Sequence, residues 1–269
     1  MISIGTTFNY DINLNEQLPM IRDAGFSHVS LGARTEHSGY LEKNGQETIR
    51  RMLVLNDLEV CSIHTPFGAE IDISSPRAEI AENTIQVYSR CIDAALSLNA
   101  RVVIFHPTAY RRFDDLEHRK KRIVDNVKRL LDYVDQAPVS LAIENDSFRP
   151  ANEILTFSLE VIDDQRYGFC YDSSHDNLVD RPLVLLRDWG RRLLTTHISD
   201  NRGKKDDHML PYEGAFPWND FCRYFSGIHY NGIFLLEVEM RESAFGSASE
   251  FLREAFNRGQ RLLNACRTI

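Results

Sequence analysis

The chain has 269 residues, a length that fits either one large barrel or two ordinary domains. Its formal net charge of −8 works against broad non-specific binding of nucleic acid. No apolar run approaches the roughly 18 residues that cross a bilayer, and the first residues lack the basic region of a signal peptide. We therefore expect a cytoplasmic protein that does not enter membranes.

The five cysteines are scattered through the chain, odd in number and without a Cys-x-x-Cys spacing. This usage argues against a disulfide scaffold and against a zinc site made of thiolates. Two basic stretches, Arg111-Arg112 and 119–122, have acidic neighbours between them. We interpret them as the solvated face of a helix.

Strand-like and helix-like stretches alternate from one end of the chain to the other. Apolar residues at helical spacing separate the strands, as over 123–134 and 252–263. Many apolar strands joined by amphipathic helices imply parallel strands with crossover connections, and eight such units close into a (β/α)8 barrel. We predict this α/β TIM barrel as a single domain over residues 1–269. The eight predicted strands are Ile2–Thr7, His28–Gly32, Leu58–Ile63, Arg101–Phe105, Ser140–Ile143, Tyr167–Tyr171, Leu193–Thr196 and Gly232–Leu236.

A doubly wound open sheet is the competing architecture. It would normally carry a Gly-x-Gly-x-x-Gly turn after its first strand, whereas this chain continues as Thr6-Thr7-Phe8-Asn9-Tyr10. The longest irregular segment runs from about Ser199 to Pro217, between the last two predicted strands. Long loops inside compact domains are usually functional, so we expect this one to contribute to the site.

Six of the predicted strands end in a residue that can bind a metal ion. Such polar residues are seldom buried unless something pairs with them, and the carboxyl ends of barrel strands carry the active site. Six endings of this kind predict one polar site at the barrel mouth. The six residues are His64, His106, Glu144, Asp172, His197 and Glu237.

Four of these residues form an arc across the last four strands: Glu144, Asp172, His197 and Glu237. Carboxylates with one imidazole suit Mn²⁺, Mg²⁺, Co²⁺ or Zn²⁺. Any single acidic strand end can instead be a helix N-cap or a salt-bridge partner, but four in series favour one metal site. Asp172 is followed by His175 in Asp172-Ser173-Ser174-His175.

A second set of residues is predicted to bind the substrate or further metal ions. For the two histidines that end strands, the alternative is a buried imidazole that holds loop backbone. For the arginine, the alternative is a solvated loop residue. The set comprises His64, His106, His175, Arg202, Asp206 and His208.

These motifs, taken in order, resemble the xylose isomerase-like TIM barrel superfamily. The resemblance is to its sugar phosphate isomerase/epimerase group, which is related to endonuclease IV. It spans nearly the whole chain. The matching pieces are Ile63-His64-Thr65-Pro66-Phe67, Val103-Ile104-Phe105-His106-Pro107, Ile143-Glu144-Asn145, Tyr171-Asp172-Ser173-Ser174-His175, His197-Ile198-Ser199-Asp200-Asn201, Asp206-Asp207-His208-Met209-Leu210-Pro211-Tyr212-Glu213-Gly214 and Leu236-Glu237.

The resemblance implies a divalent-metal-dependent isomerase or epimerase of a small sugar, sugar phosphate or polyol-derived keto compound. It implies that the four-residue arc holds one metal ion and that Glu144 and Glu237 shuttle protons on opposite faces of the substrate. His175 and Arg202 fall where a contact to a substrate oxygen is expected. Proton removal beside a carbonyl creates an enediolate, whose charge a metal stabilises. Relatives are often homo-oligomers.

The alternative is an endonuclease IV-like phosphodiesterase that acts on abasic DNA with up to three zinc ions, and a related dehydratase or lyase is a further option. The acidic composition makes a nucleic-acid substrate the less favoured one, because duplex binding needs a basic surface. The residues that match the zinc ligands of endonuclease IV are His64, His106, Glu144, Asp172, His175, His197, Asp206, His208 and Glu237.

Overall fold

The computed structural model describes residues 2–241 and 243–268. Strands and helices alternate along this part of the chain. The strands are β1 (Ile4–Thr6), β2 (His28–Leu31), β3 (Glu59–His64), β4 (Val102–Phe105), β5 (Ser140–Glu144), β6 (Tyr167–Asp172), β7 (Leu193–His197) and β8 (Phe234–Leu236). The helices are α1 (Leu14–Ala24), α2 (Thr35–Ser38), α3 (Lys43–Leu55), α4 (Ala78–Leu98), α5 (Leu116–Val134), α6 (Arg149–Val161), α7 (Ser173–Asp176), α8 (Val184–Trp189), α9 (Trp218–Ser226) and α10 (Ala248–Arg267), with one 3₁₀ turn at Gly190–Arg192.

The eight strands form one parallel sheet in the order β7-β6-β5-β4-β3-β2-β1-β8. The remaining gap between β7 and β8 is narrowed just beyond the end of β7. There Ile198 donates its N–H to the Leu235 carbonyl at 2.9 Å and accepts from the Glu237 N–H at 3.1 Å. A side chain adds a further hydrogen bond across the gap, because the Leu235 N–H donates to Thr196 Oγ1 at 3.0 Å. The predicted fold, a TIM barrel, is confirmed.

Helices cover the outside of the barrel because their apolar stripes face the strands. In α5 the predicted stripe is buried, with Ile123, Val127 and Leu130 at 0% exposure. The inside of the barrel holds a small separate cluster of Ile104, Ala142 and Cys170. These side chains come from the neighbouring strands β4, β5 and β6 and fill part of the barrel interior, which leaves the rim for the polar residues.

The structure corrects one interpretation of the sequence, because Arg119 does not belong to a solvated helix face. Its side chain is only 5% exposed, and its Nη1 pairs with Asp72 Oδ2 at 2.8 Å. Asp72 also accepts from Ser74 N–H, Ser74 Oγ and Thr108 Oγ1, at 3.0, 3.0 and 3.1 Å. Since Asp72 lies 47 positions away in the chain, the local charge pattern could not reveal this pair. We call Asp72, Ser74, Thr108 and Arg119 the Asp72 network.

One disulfide joins Cys222 of α9 to Cys266 of α10. It ties the last helix to its neighbour on the outside of the barrel. A single bridge does not make a disulfide scaffold, but the spacing of the cysteines does not predict even this one. Cys61, Cys91 and Cys170 remain free thiols. Among the described residues, no helix combines the length and apolarity needed to cross a membrane.

Candidate active site at the barrel mouth

The structure brings all six strand-end candidates to one rim of the barrel. Four of them are the last residues of their strands, and the other two follow their strands by one residue. The register of the parallel sheet produces this arrangement, for example by pairing Asp172 of β6 with His197 of β7. The six residues are His64, His106, Glu144, Asp172, His197 and Glu237.

The predicted metal-binding arc is compact. Glu144, Asp172, His197 and Glu237 each offer a ligand atom, and these four atoms lie within 4.8 Å of one another. His197 Nδ1 lies at the centre, 2.7 Å from Glu144 Oε1 and 3.1 Å from Glu237 Oε2. Asp172 Oδ1 accepts the His175 N–H at 2.7 Å, so this carboxylate also caps the short helix α7.

The charges of this cluster are strongly coupled. Burial alone would raise the pKa of Glu144, but His197 and His106 hold that pKa well below its ordinary value. Burial opposes ionisation of Glu237 as well, and His197 lowers its pKa to about 2. Burial would lower the pKa of His197, whereas Cys170, Glu144 and Glu237 raise it well above its ordinary value. Both glutamates are therefore carboxylates at neutral pH.

The raised pKa of Asp172 shows that the cluster does not readily hold all of its carboxylates in the ionised form. Burial and then the charges of Glu144, Asp206 and Glu237 raise the pKa of Asp172 to about 8, although His175 opposes this. Asp172 Oδ2 is buried without a hydrogen-bond partner. An unpaired carboxylate oxygen among other carboxylates is costly unless a cation is bound. The donor set of three carboxylates and one imidazole therefore fits a divalent metal ion.

His64 and His106 lie on the other side of Glu144. His64 Nε2 is 3.0 Å from Glu144 Oε2, and the His64 Nδ1–H donates to the Thr65 carbonyl at 2.8 Å. Burial lowers the pKa of His106 to about 4, and its Nδ1 has no hydrogen-bond partner. His64, His106 and Glu144 form a second group of ligand atoms within 4.8 Å. His64 therefore holds loop backbone and also faces the site, and its predicted role in binding the substrate or a further metal ion stays a prediction.

The loop between β7 and α9 brings two more candidates over the mouth. Asp206 Oδ2 lies 3.2 Å from His175 Nε2 and 3.0 Å from His208 Nε2. Burial disfavours the charge of His208, but Asp206 and Glu237 raise its pKa to about 10. His208 Nδ1–H donates to the Glu237 carbonyl at 3.1 Å, which attaches the loop to the end of β8. We call residues 206–208 the mouth arm.

Arg202 is the one candidate site residue that lies away from the barrel mouth. Its side chain is exposed, and it is not among the residues that line the mouth cavity. Its predicted contact with a substrate oxygen stays a prediction.

Asn145 is a site residue that was quoted in a motif but given no role. Its side chain accepts from the Asp172 N–H at 2.7 Å and donates to the Asp172 carbonyl at 2.8 Å. Its own carbonyl accepts from His175 Nδ1–H at 2.9 Å. Asn145 therefore sets the orientation of two site residues on the neighbouring strand. Its position directly after Glu144 was the available signal.

Aromatic residues and one arginine also line the mouth and were not predicted. The cavity has a volume of about 230 Å³ and is lined by Phe8, Tyr10, Arg34 and Phe67 in addition to the acidic and imidazole groups. The Arg34 guanidinium lies 4.7 Å from the centre of the Tyr10 ring. Phe67 is half exposed and packs edge-on against His106, with ring centres 4.5 Å apart. The site therefore combines a polar floor with aromatic walls.

The fold is a parallel barrel, and a cluster of carboxylates and imidazoles lies at the carboxyl ends of its strands. This arrangement is typical of barrel enzymes. The family model for the xylose isomerase-like TIM barrel matches residues 18–255, and the chain belongs to this family. A relative from Sinorhizobium fredii, the uncharacterized protein y4fM, is 25% identical over 282 residues, covering 91% of this chain and 87% of the relative.

Solved structures share the fold over the whole chain. An L-ribulose 3-epimerase superposes with a TM-score of 0.81 at 15% identity, covering 100% of this chain and 96% of the other. A D-tagatose 3-epimerase-like protein gives a TM-score of 0.80 at 18% identity, with 98% of each chain covered. The IolI protein, which was solved with a zinc atom bound, gives 0.78 at 15% identity and covers 99% of this chain and 98% of its own. At these identities the likeness establishes the fold.

Proposed function

We propose that this protein is a divalent-metal-dependent epimerase or isomerase of a small ketose or related keto compound. The observation that carries the proposal is the convergence of Glu144, Asp172, His197 and Glu237 within 4.8 Å at the barrel mouth. Two structural neighbours are a ketose 3-epimerase and a 3-epimerase-like protein, and a third was solved with zinc, which supports the same assignment.

The four residues of the arc would hold the cation, and the unpaired Asp172 Oδ2 is the oxygen that most needs it. A divalent cation in such a site supplies Lewis-acid polarisation of a carbonyl and stabilises negative charge on oxygen. Asn145 holds Asp172 and His175 in place through its two-point contact with the neighbouring strand.

Glu144 and Glu237 are the acid/base pair of the proposed reaction. Their low pKa values make both carboxylates at neutral pH, which is the state that a base needs in order to remove a proton beside a carbonyl. One glutamate takes the proton and leaves an enediolate. The other, which also begins as a carboxylate, takes up a proton from water and delivers it to the opposite face, while the first releases its proton to solvent. His197 contacts both carboxylates, so it fixes their separation.

The cavity fits a small carbohydrate rather than a flat or wholly apolar ligand. Its imidazole donors His64, His106, His175 and His208 surround the acidic floor, and Phe8, Tyr10 and Phe67 supply apolar faces. Hydroxyl groups of a sugar match the first set, and its C–H faces match the second.

Proton exchange tests the proposal directly. Metal-loaded protein is incubated with L-ribulose, D-tagatose or D-fructose in D₂O, and deuterium at the carbon beside the carbonyl is followed by NMR. We expect exchange and a second epimer or isomer to form, and both to be lost in Glu144→Gln and Glu237→Gln. Absence of exchange with every ketose and aldose tested, in protein shown to contain metal, would refute the assignment.

A phosphodiesterase is the second candidate, favoured by the additional group of His64, His106 and Glu144 and by the contacts of Asp206 with His175 and His208. These residues provide ligands for more than one ion. Metal analysis distinguishes the candidates, since the epimerase needs one ion per chain. Three zinc ions together with cleavage of an abasic duplex would replace the first proposal with the second.

A further inference from the structure

We propose that Asp200 is the positioning residue of the mouth arm, and that the arm binds substrate only while this carboxylate is in place. Asp200 lies three residues after His197, where the chain leaves β7. Its side chain is fully buried, and it contacts neither the cavity nor the metal-binding arc. The inference rests on the proposed function, because the arm would contact the substrate of that reaction.

The Asp200 carboxylate gathers four donors from the loop that returns to α9. Oδ1 accepts from the N–H groups of Asn201 at 2.9 Å and Phe216 at 3.0 Å. Oδ2 accepts from the Tyr212 N–H at 3.1 Å and from Trp218 Nε1–H at 2.9 Å. Hydrogen bonds to an ionised acceptor are about twice as strong as neutral ones, so one side chain holds together a segment that has little regular structure.

The backbone of Asp200 attaches the arm itself. Its N–H and carbonyl exchange two hydrogen bonds with Met209, each 2.8 Å long. Met209 directly follows His208, so the pair fixes the point at which the arm turns back into the protein. His208 and Tyr212 both have positive φ angles, of 47° and 73°. Such backbone is unfavourable for residues other than glycine, and it persists only where the surroundings enforce it.

Gly214 shows how tightly the loop closes around this carboxylate. A Cβ at this position would lie 2.3 Å from Asp200 Oδ1 and 2.2 Å from the Asn201 carbonyl. Neither atom can move away, because the first accepts two hydrogen bonds and the second belongs to the backbone. The loop therefore packs closely around Asp200, in the arrangement that places Asp206 and His208 over the mouth.

Asp200→Asn is the principal variant, because an amide of the same shape must turn its NH₂ group toward two of the four donors. The matched control is Asp72→Asn in the Asp72 network. Asp72 is also buried and accepts four hydrogen bonds, but from a different part of the chain. Trp218→Phe is a milder second variant, which removes one donor and keeps an aromatic ring.

Hydrogen–deuterium exchange of peptides spanning 209–218, Trp218 emission and ketose kinetics are measured on the metal-loaded protein. In Asp200→Asn we expect faster exchange in these peptides, a shifted Trp218 emission and a KM for L-ribulose that rises about tenfold with kcat less affected. Trp218→Phe should show a smaller rise in KM. Asp72→Asn should lower the melting temperature without faster exchange in 209–218.

The inference would be overturned if Asp200→Asn changed neither the hydrogen–deuterium exchange of 209–218 nor the KM. It would also be overturned if this exchange were equal in Asp200→Asn and Asp72→Asn. If Asp200→Asn does not fold, an unaltered KM in Trp218→Phe has the same meaning. Faster loop exchange in Asp200→Asn, in a protein whose wild type turns over no sugar, would leave the anchoring intact and refute the proposed function instead.

Discussion

Two clusters of buried charge in this barrel differ in one respect that separates structure from function. In the Asp72 network the buried Asp72 carboxylate meets the Arg119 guanidinium, which also pairs with the partly exposed Asp115, and every oxygen of Asp72 accepts hydrogen bonds. At the barrel mouth three carboxylates of the arc share one imidazole of that arc, and Asp172 Oδ2 accepts no hydrogen bond, its nearest cationic group being His175 Nδ1 at 3.8 Å. A balanced cluster stabilises the fold, whereas an unbalanced one is the arrangement expected of a site that binds a cation.

The largest effect is expected from neutralising the acid/base pair. Glu144→Gln and Glu237→Gln should each reduce the rate of proton exchange by about 10²–10⁴-fold, because a carboxamide cannot accept the substrate proton. Far-UV circular dichroism and the melting temperature should show a folded protein. The rate of deuterium incorporation into the ketose is the measurement. A variant with more than a tenth of the wild-type rate would remove that glutamate from the proposed pair.

The balanced cluster should respond in the opposite way. Arg119→Met leaves the Asp72 carboxylate buried without its cation, which costs about 3–5 kcal/mol of unfolding free energy for a broken buried pair. Urea unfolding measures the loss. The folded fraction should keep most of its proton-exchange activity, since Arg119 touches no residue of the arc. A large loss of activity with unchanged stability would show that the two clusters do not differ in this way.

Metal binding should stabilise the folded protein through the barrel-mouth cluster and not through the Asp72 network. At a concentration about 100-fold above the dissociation constant, a ligand that binds only the folded state adds about 2.7 kcal/mol of stability. We therefore expect Mn²⁺ or Zn²⁺ to raise the melting temperature of the metal-free protein and EDTA to reverse this. Asp172→Asn, which removes the unpaired carboxylate, should lose most of the rise, while Asp72→Asn should retain it.

The strands and the polar rim of the barrel could be predicted from the sequence. The buried pairings could not, and they share one cause. Apolar runs that end in His, Glu or Asp revealed the strands and their rim, because the period of a strand and the end of a strand are local properties. The partners of Arg119 and of Cys222 lie 47 and 44 positions away. The four donors of Asp200 come from a loop whose course depends on tertiary contacts. Pairings of this kind have no local signature.

The smallest effect is expected from His106 at the barrel mouth, as a contribution to the pH dependence of the unfolding free energy. Burial lowers the pKa of His106 to about 4, below the value of about 6.5 for a histidine in the unfolded chain. The unfolded state therefore binds this proton first as the pH falls, so the contribution of His106 to stability is full above about pH 6.5 and is lost between there and pH 4. Asp172 and His208, whose pKa values are raised to about 8 and about 10, contribute in the opposite direction. Urea midpoints of the metal-free protein at intervals from pH 7.5 to 4 measure the decline.

His106→Gln is the informative variant for this decline, because glutamine cannot be protonated in the same window. Asp172 and other carboxylates also titrate in this window, so the expected result is that acidification from pH 6.5 to 5 destabilises His106→Gln less than the wild type, not that the profile becomes flat. Arg119→Met, which breaks the balanced cluster, should shift every midpoint by a similar amount and keep the wild-type slope. An unchanged slope in His106→Gln would place the acid sensitivity outside the mouth, and the contrast between the two clusters would then not extend to pH.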